Sequence, residues 1–428
     1  MNTDLNFKAT IGLDWADKKH DLWVRPADGS KSQHVQLEHT PEAIHEWVAK
    51  LRERFQSAPV AIAVETSRGP VISALRAYEF IVIFAINPKC LKDYRAAFQV
   101  SGAKSDRTDA QLLEEMVRLH RDKLKASIPD DALTRKIGGL SEVRRRLVDE
   151  RTRMVNQAHA SLKLYYPLAD TLLGEDLNTL MAAEFLLLWP DLASLQAAKT
   201  DTLRRFFYKH HCRSDKRLQQ RLEAIRQAKA LTKDEGLIVP ARAMVVALAK
   251  ILRDLARSIA ELDQQIQAAM DQHPDAALFR SFPGAGPSLA PRLLAAFGTQ
   301  RERFDSAVEV AQLYGIAPVK IASGNTEVVH MRHRCPKFAR QTFHENAVCA
   351  AKSEPWARKF YEQQREERQN KHHQTCRALA FKLIRIYFAC WKSRTPYSRA
   401  TYLQALEKSA SNLASDLKPP VDNSCENN

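Results

Sequence analysis

Ala9-Thr10-Ile11-Gly12-Leu13-Asp14 and Val60-Ala61-Ile62-Ala63-Val64-Glu65 decide how this chain folds, because each carries an apolar run onto a carboxylate. Short apolar runs bounded by turn residues read as buried strands. A carboxylate at the end of such a strand is unfavourable unless something binds it, since burying an unpaired charge costs several kcal/mol. Two further acids follow in Lys104-Ser105-Asp106-Arg107-Thr108-Asp109-Ala110, where a helical pattern starts. Two strand ends and an i, i+3 acidic pair (Asp14, Glu65, Asp106 and Asp109) could converge on a divalent metal.

Working outward, Lys8–Asp14, Asp21–Val24 and Ser32–Leu37 read as three strands joined by turns. Pro41–Arg54 reads as a helix with Thr40 as its N-cap and Pro41 in its first turn. Strand Val60–Glu65, helix Pro70–Tyr78, strand Ile81–Ile86 and a helix after Asn87-Pro88 complete the order βββαβαβα. That order predicts a mixed sheet, an antiparallel meander beside parallel central strands, flanked by helices. If the first and fourth strands pair in parallel, Asp14 and Glu65 become near neighbours. The helix bearing Asp106 and Asp109 would then pack across the open end. The arrangement resembles the ribonuclease-H-like fold in its RuvC-like branch, over about the first 125 residues.

Beyond residue 129 the pattern becomes helical. Thr134–Tyr166 places Ile137, Leu140, Val143, Leu147, Met154, Ala158, Leu162 and Tyr165 mostly at spacings of threes and fours, interrupted at Arg151, with a basic opposite face. Gly138-Gly139 is expected to fray its start and Pro167 to stop it. Segment 170–235 reads as shorter helices, broken at Trp189-Pro190, and Val239–Met270 as a second long amphipathic helix. The two long helices read as an antiparallel hairpin, as a device for assembling with a second subunit, or as core helices of a helical domain. Later helices are expected at Phe338–Ala351 and Trp356–Phe388, and the tail from Ser409 has the composition of disorder. The expected class is therefore α/β plus all-α, divided as 1–128, a helical coiled-coil connector 129–272, a mostly helical domain 273–405 and a tail 406–428.

Composition narrows the function. The 428 residues suffice for two or three domains, 45% of them are hydrophobic, and no apolar run is long enough to span a membrane. Met1-Asn2-Thr3-Asp4-Leu5 lacks the features of a signal peptide, so a cytoplasmic protein is expected. Cysteines 90, 212, 335, 349, 376, 390 and 425 form no C-x-x-C. His330, His333, Cys335, His344 and Cys349 match no common zinc-finger spacing and read as ordinary residues of a basic helical region. A net charge of +15, from 65 Lys+Arg against 50 Asp+Glu, reads either as a basic soluble protein or as a binder of polyanions. Clustering in Arg144-Arg145-Arg146, Arg204 to Arg221 and Arg332 to Arg385 favours nucleic acid.

Two segments of the last region carry further chemistry. Phe282-Pro283-Gly284-Ala285-Gly286 before the apolar run Leu289–Phe297 looks like a helix-hairpin-helix turn, whose backbone N–H groups hold a DNA phosphate, or like a plain loop-to-helix junction. Gly315-Ile316-Ala317-Pro318 is followed by Ala322-Ser323-Gly324-Asn325, which exposes a hydroxyl on a loop. Ser-Gly is a common turn and most such serines are inert. Arg332, Arg334, Lys337 and Arg340 lie within twenty residues of it, and could stabilise a phosphorane if Ser323 attacked a phosphodiester.

The acidic quartet, the Pro-Gly-x-Gly segment and the Gly-Ile-Ala-Pro…Ser-Gly segment, in that order from about residue 9 to 390, resemble the DEDD-type insertion-sequence transposases. The resemblance implies a RuvC-like domain in which Asp14, Glu65, Asp106 and Asp109 hold two magnesium ions. It implies Ser323 as a nucleophile that forms a transient protein–DNA ester, so that strands are rejoined without ATP. It further implies DNA as partner, a structured guide RNA from the element's flanks, homo-oligomers, and Arg107, Gly284, Gly286, Arg332, Arg334, Lys337 and Arg340 on nucleic acid. Many members follow the serine with Lys-Arg-Gly, whereas this chain has Met331-Arg332-His333-Arg334-Cys335-Pro336-Lys337. Asp17 and Asp21 read as solvent-facing. Rival readings are a RuvC-like Holliday-junction resolvase with an inert Ser323, a structural nucleic-acid-binding protein with a vestigial quartet, and a site-specific DNA invertase.

Overall fold

The computed structural model describes residues 6–66, 69–98, 105–174, 177–324, 326–367 and 369–408. The chain divides into two units, residues 1–129 and 130–428. In the first, β1 (Ala9–Asp14), β2 (Lys19–Pro26), β3 (Gln33–Glu38), α1 (Pro41–Arg54), β4 (Val60–Val64), α2 (Pro70–Leu75), β5 (Ile81–Ala85), α3 (Pro88–Phe98) and α4 (Asp106–Leu119) follow in order. The strands form one sheet, β3-β2-β1-β4-β5, antiparallel through the first three and parallel from β1 to β4 to β5. The mixed sheet and the parallel pairing of the first and fourth strands are those expected from the sequence.

Strand alternation sorts the side chains into two layers. Ile11, Leu13, Leu22, Val24, Ile62 and Val64 pack under α1 and α2 against Ile44, Val48, Val71 and Leu75. Ala61, Ala63 and Phe84 face the other way, against Leu112, Leu113 and Val117 of α4. Thr10, Gly12 and Asp14 alternate onto this second face. There α4 comes so close that a Cβ on Gly12 would lie 2.5 Å from the Glu114 amide nitrogen and nearer still to the Ala110 carbonyl oxygen. One turn along, the fully buried Glu114 carboxylate accepts from Thr10 Oγ1 (2.7 Å), Arg25 Nε (3.1 Å) and Arg118 Nε (3.0 Å). The helix is thus pinned to the sheet by an absent side chain and a satisfied buried charge.

Boundaries differ from the expectation in several places. Strand β2 starts two residues earlier, at Lys19, and helix α2 ends at Leu75 rather than Tyr78. There the Ala77 and Tyr78 amides turn back to the Ala74 and Leu75 carbonyls, and Tyr78 meets Phe80 edge-on. Thr40 caps α1 as expected, its hydroxyl accepting from the Ala43 amide. Ser105 caps α4 in the same way, while Lys104 of the acidic motif lies outside the described residues.

The second unit opens with α5 (Ala132–Tyr165), α6 (Pro167–Leu173), α7 (Leu180–Leu188), α8 (Leu192–Gln196), α9 (Thr200–Lys209), α10 (Asp215–Gln227) and α11 (Glu235–Asp271). Helices α5 and α11 pair antiparallel within the chain: Thr134 meets His273 (2.9 Å) and Arg144 binds Asp263, while Ala158 shares a core with Val245, Leu248 and Leu252. Gly138-Gly139 does not fray α5. The Asp131 carboxylate caps it by accepting from the Thr134 amide (2.9 Å), and Gly138 lies where a Cβ would sit 3.2 Å from the Ala295 side chain. Pro167, which stops α5, starts α6.

After α12 (Ala276–Arg280), α13 (Leu289–Phe297) and α14 (Ala307–Leu313), a hairpin of β6 (Val319–Ser323) and β7 (Thr326–His330) precedes α15 (Lys337–Ser353). The long helix expected over Trp356–Phe388 is instead two, α16 (Pro355–Glu366) and α17 (His372–Ser393), followed by α18 (Arg399–Lys408). Between them Gln369 takes a left-handed φ of 51° and the Asn370 amide turns back to the Gln364 carbonyl, which ends the helical path. A core of Ile137, Ile266, Phe279, Phe297, Phe343, Tyr387 and Trp391 joins the near ends of α5 and α11 to these later helices. The tail from Ser409 lies outside the described residues.

Candidate functional site

The parallel register pairs Leu13 with Val64, so Asp14 and Glu65 are the next residues along two adjacent strands. Both are half-buried. Docking of α4 on Gly12 brings its first turn to the same face: Asp106 exposed, Asp109 buried. The Asp109 carboxylate is bound by Arg95 of α3, and 4% of the Asp109 side chain is exposed against 16% of the arginine's. The four donors are all carboxylate oxygens, the ligand type that magnesium takes. Among the described residues no three Asp, Glu, His or Cys side chains close around one point. The donor chemistry is of the type a divalent cation takes, while Arg95 holds the Asp109 carboxylate.

Asp21 was expected to face solvent, and it does not. Because β2 begins early, Asp21 lies inside the strand, opposite Asp14 in the antiparallel register, and residues so paired share a face of the sheet. It is 9% exposed and accepts from His34 Nε2 at 2.6 Å. Asp17 is exposed, as expected. Next along this face, Arg107 stacks over Trp23, 5.6 Å from the ring centroid, and Trp23 pairs with Gly12 on one side and His34 on the other. The turn leaving Asp14 is held by His20, whose Nδ1 accepts from the Ala16 amide (3.2 Å) and whose Nε2 meets His39 (2.8 Å). Burial, then His39, lowers the His20 pKa, against the pull of Asp21. Sequence reading missed Asp21, His34, Arg95 and Glu114. Only cross-strand register or helix docking reveals them.

In the second unit Ser323 closes β6 at the turn of an exposed hairpin, cross-paired with Thr326; Gly324 takes a φ of 56°, and Asn325 lies outside the described residues. Val319 and His330 pair at the other end, four steps or roughly 13 Å away. Arg332, Arg334, Lys337 and Arg340 all come after that base, so the structure sets Ser323 and these cations at opposite ends of the hairpin. Their segment is laid over Gly315, where a Cβ would fall 3.2 Å from the Arg332 carbonyl oxygen and 3.0 Å from Cys335 Cβ. Arg334 and Lys337 are exposed, Arg332 and Arg340 half-buried. In the Pro-Gly-x-Gly segment, Gly284 (φ 69°) is pressed on α15, with room for no Cβ beside the Cys349 carbonyl carbon (2.7 Å), and Pro283 O accepts from Asn346 (2.8 Å) and Tyr387 (3.0 Å). Gly286 is open.

His344 on α15 stands among cations. Burial first, then Arg377, Arg340, His373 and His372, pushes its pKa down to about 4. An unfolded-chain histidine titrates near ~6.5, so between those values the unfolded chain holds the extra proton. The stability tied to a neutral His344 is whole above that range and falls as pH drops through it toward 4. Thermal melts stepped from neutral to acid pH should show a steeper loss for the native protein than for His344→Gln; equal slopes would remove His344 as a cause.

A family model described as a transposase of the DEDD, IS110 type matches residues 11–167, which include Asp14, Glu65, Asp106 and Asp109. A second, described as the transposase IS116/IS110/IS902 family, matches residues 276–362, which include Ser323. Among relatives, a Streptomyces coelicolor protein assigned as the mini-circle transposase of IS117 is 27% identical over 83% of this chain and 87% of its own length. A protein of insertion element IS900 from Mycobacterium paratuberculosis is 27% identical over 70% of this chain and 74% of its own. Among the described residues no helix is long and apolar enough to cross a membrane. The acidic quartet lies in the first matched segment, the Pro-Gly-x-Gly and Ser-Gly segments in the second, and the two matches meet on that combination: the chain belongs to the DEDD-type IS110 family of insertion-sequence transposases.

Proposed function

We propose that this transposase cuts and rejoins DNA strands with a ribonuclease-H-like, RuvC-type first unit and a serine nucleophile in the second, guided by an RNA from its own element. The observation that carries the reading is the side-by-side ending of β1 and β4, with Asp14 and Glu65 at adjacent strand ends and α4 seated on Gly12 beside them. Asp14, Glu65, Asp106 and Asp109 would hold magnesium, which when bound polarises phosphoryl oxygens and neutralises developing charge. Ser323 Oγ forms a new bond to phosphorus, the P–O bond to one neighbouring nucleoside breaks, and the serine proton passes to the leaving oxygen. One ester replaces another, so the reverse attack by a DNA hydroxyl reseals the strand without ATP. An exposed hairpin tip suits that role, since a duplex must reach the hydroxyl. Arg107, Gly286, Arg332, Arg334, Lys337 and Arg340 are assigned to nucleic acid, and Gly284 to seating the turn that precedes Gly286. The helical stretch 129–272 serves as connector, and assembly into homo-oligomers would bring several such sites onto paired DNA ends.

The test is a trapped adduct. Denaturing gels of the protein with labelled element-end DNA and magnesium should show a covalent protein–DNA band that is absent with Ser323→Ala or with chelator. An active preparation that cleaves without any such band would instead fit a metal-only junction resolvase.

A further inference from the structure

Three arginines near the base of the Ser323 hairpin have side-chain nitrogens shut off from solvent with no hydrogen-bond partner: Arg332 Nε, Arg340 Nη1 and Arg377 Nε. Among the described residues no ion pair engages any of the three. Helices α15 and α17 pack together, and Arg377 on α17 lies within reach of the Arg340 charge on α15. Arg377 also touches the Met331 sulfur (2.8 Å), next to Arg332 in the chain. His344 on α15 lies within reach of the Arg377 and Arg340 charges, and of His373 and His372. Desolvated like charges with unmet donors are costly in an isolated protein, and the cost is offset when an anion takes the donors. Guanidinium forks match the paired oxygens of phosphate and of carboxylate.

We propose that Arg340, Arg377 and Arg332 form a pocket for one backbone phosphate of nucleic acid, set at the base of the hairpin whose tip bears Ser323. The pocket holds the strand at a phosphate other than the one under attack. This deepens the reading of the chain as a transposase and rests on it for the choice of phosphodiester over other anions. Arg377 lies far from the Arg332–Arg340 stretch in sequence, and α17 brings it in. DNA and RNA backbones share the chemistry, so both are tested.

The full-length protein is titrated, by fluorescence anisotropy across a salt series, into labelled single-stranded DNA and into RNA of the same sequence. Arg340→Gln and Arg377→Gln should each weaken binding about tenfold and lessen the slope of log affinity against log salt by about 0.7 for each phosphate no longer neutralised. Arg377→Lys, which keeps charge but not the fork, should fall between. Weakening with DNA alone, RNA alone or both names the occupant, and each supports the pocket. In the unmutated protein, NMR should show the His344 imidazole titrating at higher pH once oligonucleotide is bound, since an anion opposes the cations that depress it. Native affinity and salt slope in both glutamine variants overturn the proposal, as does a His344 that titrates unchanged in the complex. If the Ser323 adduct never forms while the arginine variants still bind more weakly, the chemical reading fails and the pocket stands. If adducts form and the variants bind like the native chain, the pocket alone fails.

Discussion

Replacing Gly12 with alanine is expected to unseat α4 and lower the stability of the first unit by about 3 kcal/mol or more, at the upper end for overpacking. The methyl group would enter the Ala110 carbonyl and stand 2.5 Å from the Glu114 amide nitrogen, and both atoms are helix backbone that no rotamer change can move. Relief requires lifting α4 as a body. That breaks the Glu114 contacts to Thr10 and Arg25 and takes Asp106 and Asp109 away from Asp14. Gly139→Ala is the contrast: on α5 nothing lies within 4 Å of the added carbon, and helix propensity predicts a gain of about 0.5–1 kcal/mol. Urea denaturation followed by hydrogen exchange along α4 checks the pair. A Gly12→Ala protein within about 1 kcal/mol of native, with α4 protected, would mean the helix does not rest on that glycine as described.

The first unit was largely legible because its signals are local. Short apolar runs ending on Asp14 and Glu65, with Thr40-Pro41 opening α1, specify strand order and helix starts before any packing is known. Partners across the sheet were not legible. Asp21, the first residue of the expected second strand, reads as solvent-facing until β2 is seen to begin at Lys19, which sets it inside the strand opposite Asp14. Likewise Arg95 is one more helix cation until α3 lies beside α4.

In the second unit the helices were legible from their periodicity and the breaks were not. Apolar residues on both sides of Glu366 continue one pattern, while the break between α16 and α17 depends on Gln369 and Asn370, neither a strong breaker. Gly138-Gly139 misled for the opposite reason, since propensity argued for fraying and the close approach of Ala295 makes Gly138 useful. The spacing of Ser323 from its cations was illegible in principle. Arg332 follows Ser323 by nine positions in sequence, and only the hairpin turns that separation into opposite ends of one element.

Asp14→Asn is expected to abolish magnesium-dependent DNA cleavage, by about 10³-fold or more if a metal ligand worth some 4 kcal/mol of transition-state stabilisation is lost. Asp21→Asn, directly across the strand pair, is expected to cost about tenfold or less. The two carboxylates share a face and a register position, so their level on the sheet does not tell them apart. Their partners do. Asp21 is 9% exposed and held by His34 Nε2 at 2.6 Å, with Gln36 behind it at 3.5 Å, an arrangement that an amide oxygen of the same shape can largely keep. Asp14 sits at the end of its strand beside Glu65, where removing the charge takes an anionic oxygen from the proposed ligand set. Calorimetric titration of magnesium into the metal-free proteins separates the roles without relying on turnover: binding should vanish or weaken greatly with Asp14→Asn and persist with Asp21→Asn. Equal losses in both would make Asp21 a ligand, with His34 as the group that orients it. Native cleavage by Asp14→Asn would remove the metal site from the mechanism, and with it the reason for a carboxylate to end β1.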